Sequence, residues 1–377
     1  MVSRNLLYVQ VIALAFSTSL FGGLGEEIRI ACSINLEQMS LLMGFSQIGS
    51  LVSFLSLPFL SKRIGSYSLL ITGIFVSSLS LLGMGLSRSL IFFGAFFLLS
   101  TLAGYLYGTS NVMVLINLDP QRSKTNIPLM HLTYSIGGMF SGLYIAYLKR
   151  SQWYYGYVQM AVLYALLAIL FLVFRPQQAR TWAKPKYHSL GSGFSLLKDA
   201  QFARFLFFLI TANAVEFCAI IYPLAYITEV LGGKASAIGS AIVILHGSIA
   251  CSRLMVIPLL KQGFAPKRLL LILSLVCAAG LLLLAFSSSL GVALLCLSLL
   301  GLGIGAVNPV SQVLEITQWP QDLMQLANLR SMGSTAGRMF MPLLVGLILT
   351  TFSLSSVFLF LACCMVLSLL VLLRSRM

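Results

Sequence analysis

Glu216 stands in the stretch LITANAVEFCAIIYPLAYITEVLGG, Leu209 to Gly233, where almost every neighbour is apolar. A carboxylate in such surroundings must be paired, hydrated or protonated. It is either half of a structural ion pair or a group that loads and releases a proton. Arg338, in GSTAGRMFMP, is the second ionisable group deep in an apolar run. A guanidinium stays charged, so it calls for a counter-charge, and two are available: Glu216 and an anionic group on a substrate. Glu26 and Glu27 lie close to Arg29 near the end of the first apolar run, where an interfacial charge cluster accounts for Glu27 and Arg29 and Glu26 is either part of it or a functional acid.

Polar, uncharged groups recur in the same kind of setting. His131 is followed one helical turn later by Tyr134, on the same face. Imidazole titrates near neutrality and suits proton relay or a hydrogen bond to a polar ligand, and an interhelical hydrogen bond is the competing use. Asn111 and Asn308 offer amides for a ligand or for helix pairing. Tyr105, Tyr107, Tyr222 and Tyr226 offer rings and hydroxyls for stacking, hydrogen bonding or core packing. His246 reads as a core histidine, and Arg253 as a gate or loop anchor.

The elements that must position these groups are membrane helices. Of 377 residues, 59% are hydrophobic and 9% charged, with mean hydropathy +0.97. That is more apolar side chain than a soluble domain can bury. Apolar residues run continuously instead of alternating, which excludes a β-barrel. Twelve stretches are long enough to cross a bilayer: Leu6–Ile30, Met39–Leu60, Tyr67–Leu86, Leu90–Leu118, Ile127–Leu148, Tyr155–Phe174, Phe202–Thr228, Ala235–Leu260, Leu269–Phe286, Leu290–Ile316, Leu326–Thr350 and Leu354–Leu373. The fold class expected is all-α and integral to the membrane. Residues 1–175 form one six-helix bundle, 176–200 a cytoplasmic linker with Pro176, Pro185, Gly191 and Gly193, and 201–377 a second bundle.

The net charge of +15 follows from topology. With both termini inside, seventeen Lys and Arg face the cytoplasm, Lys184 and Lys186 among them, and five face outward, including Arg88, Lys149 and Arg150. This is the positive-inside bias, so nucleic acid need not be invoked. The first apolar stretch lacks a cleavage pattern and reads as a span. The seven cysteines show neither ligand spacing nor an outer-loop pairing pattern. No phosphate-binding G-x-x-x-x-G-K-[ST] occurs, and nothing resembles a nucleophile with its base. An enzyme, a metal site and a cofactor are not expected.

The halves repeat. GYLYGTSN (Gly104–Asn111) and GLGIGAVN (Gly301–Asn308) share the spacing G-x-x-x-G-x-x-N. GGMFSGL (Gly137–Leu143) matches GRMFMPL (Gly337–Leu343), and PFLSKRIGSYSLLI matches PLLKQGFAPKRLLLI. Six helices per half keep both in one orientation, as in transporters that bind substrate between repeats near the midplane.

On these features the chain resembles the major facilitator superfamily over its whole length. PFLSKRIGS is similar to that family's loop G-x-L-a-D-r-x-G-r-r, with Ser61 or Lys62 at the acidic place. Within the superfamily it resembles the fucose-permease-like sugar:proton symporters. The likeness lies in FGGLGEEI, which places an acid at Glu26. It continues in GTSNVMVLINLDPQRSKTNIPLMHLTYSIGG, at Asn111, His131 and Gly137. It is completed by NAVEFCAIIYPLAYITEVLG and GSIACSRLM, at Glu216, Tyr226, Glu229 and Arg253. Three positions depart: Tyr107 replaces an acid, Pro128 an Asn, and Arg338 a small residue.

The resemblance implies a proton-coupled carrier of a small polar solute such as a sugar, with Glu216 and Glu26 serving coupling and Asn111 and His131 in the substrate site. The residues themselves add Tyr107, Tyr134, Tyr222, Asn308 and Arg338 to that candidate site. An exporter and a non-transporting receptor or scaffold are the alternatives. The expected partners are the solute, protons and the lipid bilayer of a bacterial inner membrane, around a monomer.

Overall fold

The computed structural model describes residues 2–119, 123–180 and 194–375. Arg122, Lys184, Lys186, Arg376 and most of the expected linker lie outside them. Fourteen α-helices and no strand occur among the described residues. The helices are α1 Val2–Gly23, α2 Gly25–Cys32, α3 Leu36–Ile64, α4 Ser66–Leu86, α5 Leu90–Leu118, α6 Ser123–Tyr147 and α7 Tyr154–Val173. They continue with α8 Ala200–Glu229, α9 Ala235–Lys261, α10 Pro266–Ala285, α11 Leu290–Gly305, α12 Val307–Gln318, α13 Leu323–Leu349 and α14 Leu354–Leu373. Among the described residues, eleven segments have the length and hydropathy to cross a membrane. The expected twelfth, Ile127–Leu148, is the 25-residue α6.

Two expected spans are interrupted. Leu6–Ile30 is α1 plus α2, broken at Leu24 (φ −110, ψ 20), among Gly22, Gly23 and Gly25. Leu290–Ile316 is α11 plus α12, broken at Ala306 (φ −103, ψ 2). Glycine lowers the cost of leaving the helix. At Ala306 a proline three residues on removes a donor. Neither change alters hydropathy, so apolar length alone did not reveal it.

The chain divides into two compact units, Met1–Tyr187 and His188–Met377. Each holds the same helix pairings. In the first, α4 packs on α5 and α7, α1 on α6, and α3 on α5. In the second, α10 packs on α11 and α14, α8 on α13, and α9 on α11. Small residues make these contacts close, the usual device where lipid supplies no hydrophobic drive between helices. A Cβ on Gly303 would collide with the backbone of Cys277, and one on Gly280 would stand 2.8 Å from the amide nitrogen of Leu300. Serine hydroxyls add bonds across the same crossings. Ser53 Oγ donates to the Leu102 carbonyl at 2.6 Å, and on the matching crossing of the second unit Ser252 donates to that of Leu302 at 2.7 Å.

Helix ends follow local rules. Asn35 and Gln38 form a reciprocal capping box at the start of α3, at 2.8 and 3.1 Å. Asp199 caps α8 through the amide of Gln201 at 2.8 Å.

Candidate functional site: polar groups buried in each helical unit

In the second unit, α8 brings Asn213 and Glu216 to one face, since residues three apart on a helix are neighbours. The break at Ala306 sets Asn308 in the first turn of α12 opposite them. Asn308 Nδ2 donates to Asn213 Oδ1 at 3.0 Å and to Glu216 Oε2 at 3.1 Å. Asn213 Nδ2 in turn donates to the Leu209 carbonyl at 2.8 Å. The chain of bonds has one consistent direction. Both hydrogens of the Asn308 amide are committed, so it presents a donor to the carboxylate and keeps Oδ1 as an acceptor.

Arg338 on α13 donates Nε to the Ser334 carbonyl at 3.3 Å. The hydrogen bond to the Glu216 carboxylate comes from the Asn308 amide. The charges of Arg253 and Arg338 both act on Glu216 through space. Tyr222 is buried six residues beyond Glu216 on α8. Tyr226, also buried, donates to the Ser287 carbonyl at 2.6 Å. His246 is buried in α9.

In the first unit, Asn111 is buried on α5 and its amide donates to Gln10 Oε1 on α1. Both units thus join an asparagine of their fourth span to a polar side chain of their first. Tyr107 lies in a chain of buried hydroxyls. Its OH is 2.9 Å from that of Tyr164, which is 3.0 Å from Ser17 Oγ. Tyr134 OH is 3.2 Å from Thr18 Oγ1. His131 is partly buried on α6. Glu26 lies on the short α2 and is ion-paired with Arg150, which also reaches Glu27 at 3.0 Å.

Gln10, Asn213, Tyr164 and Glu315 had no place in the sequence reading, and Arg330, counted there only among the cytoplasmic basic residues, pairs with Glu315. In that pair, the Arg330 guanidinium meets the buried Glu315 carboxylate at 2.9 Å. Asn213 was discoverable from its position one turn before Glu216, and Gln10 from being a large amide within the apolar first span. Glu315 falls at the end of its span, where charge is ordinary.

Among the described residues no group of three or more His, Cys, Asp or Glu is placed to hold a metal ion. What the site offers is polar recognition and, at Glu216, an acid held by an amide within a helix of membrane-spanning length.

A family model described as the Major Facilitator Superfamily matches residues 6–328 and again 204–377. No curated protein sequence matches the chain. Solved structures do. The chain is similar to a variant of the nucleoside transporter NupG at 16% identity and TM-score 0.80, covering 98% of this chain and 100% of that one. It is similar to a D-xylose-proton symporter at 15% identity and TM-score 0.81, covering 99% and 97%. It is also similar to a variant of the E. coli fucose:proton symporter FucP at 16% and 0.67, covering 100% and 99%. At these identities the likeness is one of fold.

Proposed function

This chain belongs to the Major Facilitator Superfamily, and from that premise we propose that it couples movement of a small polar solute to the proton gradient through Glu216. It is a transporter and a multi-pass integral membrane protein, not an enzyme. The observation that carries the finer reading is the Glu216–Asn308 contact. An acid on a membrane helix is held there by an amide, with two cations at longer range, and so keeps the freedom to exchange a proton that a tight ion pair would deny it. Symport with a sugar or nucleoside-like solute is the reading favoured by the fold shared with carriers of such solutes. Glu26 is engaged by Arg150, which favours a structural role for it and leaves coupling to Glu216.

The test is transport in proteoliposomes against a panel of pentoses, hexoses and nucleosides, selected first by thermal shift. Glu216→Gln mimics a permanently protonated site. It is expected to keep counterflow of the solute and to lose accumulation driven by a pH gradient. Accumulation by Glu216→Gln at the parent level would reject proton coupling through this residue.

A further inference from the structure

Leu290–Gln318 is one apolar span, yet it is two helices. Pro309 lies three residues past the break at Ala306. In an uninterrupted helix the N–H of residue 309 would bond the carbonyl of Gly305, and proline has none. A carbonyl left open inside a membrane span must find another donor, because lipid offers none. Arg253 Nε, from α9, donates to the Gly305 carbonyl at 3.0 Å. The two helices approach closely enough because Gly301 and Gly305 carry no side chain. A Cβ on either would stand 2.6 Å from the Leu245 carbonyl oxygen or 2.7 Å from that of Ile249.

The first unit supplies the comparison. Aligning Asn111 with Asn308 sets Val112 opposite Pro309, and aligning Pro58 with Pro258 sets Ser53 opposite Arg253. There α5 runs unbroken from Leu90 to Leu118. The proline and the arginine occur together in one half and are missing together from the other. Asn308 lies between the break and the proline and is the residue that reaches Glu216.

We propose that Arg253 is the substitute donor for the carbonyl that Pro309 orphans, and that it thereby holds α12 where Asn308 meets Glu216. Arg253 is a positioning residue, and its importance for transport rests on the reading of Glu216 above. Its charge also acts on Glu216, so the test must separate donation from charge.

Restoring the backbone donor does so. Pro309→Ala supplies an N–H for Gly305 and should make Arg253 dispensable for geometry. Spin labels at Leu295→Cys and Ile316→Cys, both on exposed positions, report the distance across the break. Labels at Ile91→Cys and Ile116→Cys report on unbroken α5. Carbodiimide labelling of Glu216, read by mass spectrometry, reports the Asn308 contact. Arg253→Met is expected to broaden the distribution across the break, to raise Glu216 labelling at least threefold, and to leave the α5 distance narrow. Adding Pro309→Ala to Arg253→Met should return both readouts to parent values. Parent-like behaviour of Arg253→Met, or a double variant as disturbed as Arg253→Met alone, overturns the proposal. If Arg253→Met does not fold, the double variant decides: a folded chain with a narrow distribution supports the assignment, and a chain that still fails to fold refutes it. No readout uses a solute or a gradient, so this result and that of the transport assay stand apart.

Discussion

Gly137 of α6 lies so close to Ile12 of α1 that a Cβ at 137 would overlap the Ile12 carbonyl oxygen. The repeat reproduces the contact: a Cβ on Gly337 would stand 2.9 Å from the carbonyl oxygen of Ile210 and 3.1 Å from its side chain. Backbone cannot yield as a flexible side chain does. Gly137→Ala should therefore destabilise the protein by about 1–3 kcal/mol, the usual range for overpacking, and Gly337→Ala by less. A Cβ on Gly108 would meet nothing within 4 Å. Gly108→Ala should be neutral or stabilising by up to about 1 kcal/mol, from helix propensity alone. Thermal unfolding in detergent ranks the three.

Glu216 should couple more strongly to Asn308 than to Arg338. Hydrogen bonds to charged groups contribute roughly 1.5–3 kcal/mol, whereas Arg338 acts on Glu216 only at longer range. Double-mutant cycles with Glu216→Gln, Asn308→Ala and Arg338→Gln measure both terms. A larger coupling for Glu216 with Arg338 would show that the amide contact is incidental.

Arg330 neutralises a carboxylate that is itself buried. Arg330→Met should cost about 3 kcal/mol or more, since it strands the Glu315 charge. Replacing both partners, Glu315→Met with Arg330→Met, should recover most of that loss. The comparison is again one of unfolding temperatures, and a double variant less stable than Arg330→Met would contradict it.

The sidedness inferred from charge is open to direct labelling. In a chain with the exposed Cys251 and Cys363 changed to serine, an impermeant maleimide added outside cells should label Lys149→Cys and leave Lys198→Cys untouched. Both lysines are exposed. The opposite pattern would invert the topology.

The sequence made the scaffold legible because a bilayer imposes one rule on every span: apolar length, ended by polar turns. Leu90–Leu118 has the same limits in sequence and structure. The breaks at Leu24 and Ala306 escaped that rule because hydropathy does not register a missing N–H or a glycine cluster. The same holds for the site. Glu216 stands out as a lone acid, but the amides that orient it do not, since an amide within a helix carries no charge signal. Asn213 becomes meaningful only beside Asn308, ninety-five residues away in sequence. Arg150 looked like an ordinary loop cation until the fold set it against Glu26 and Glu27.

The hydroxyl bonds of Ser53 and Ser252 bear on how the protein meets bilayers of different thickness. Each ties a helix to the carbonyl of its neighbour, and a slip along the crossing would break that bond inside the packed helix contact, where both serines are buried and no water replaces it. Mismatch between apolar span and hydrocarbon depth is relieved by tilt, sliding or local deformation of lipid. Here each of these bonds opposes sliding at its crossing, by about 1 kcal/mol. A thicker or thinner membrane is then met more readily by tilting α3 with α5, and α9 with α11, as bonded pairs, or by the lipid deforming around them.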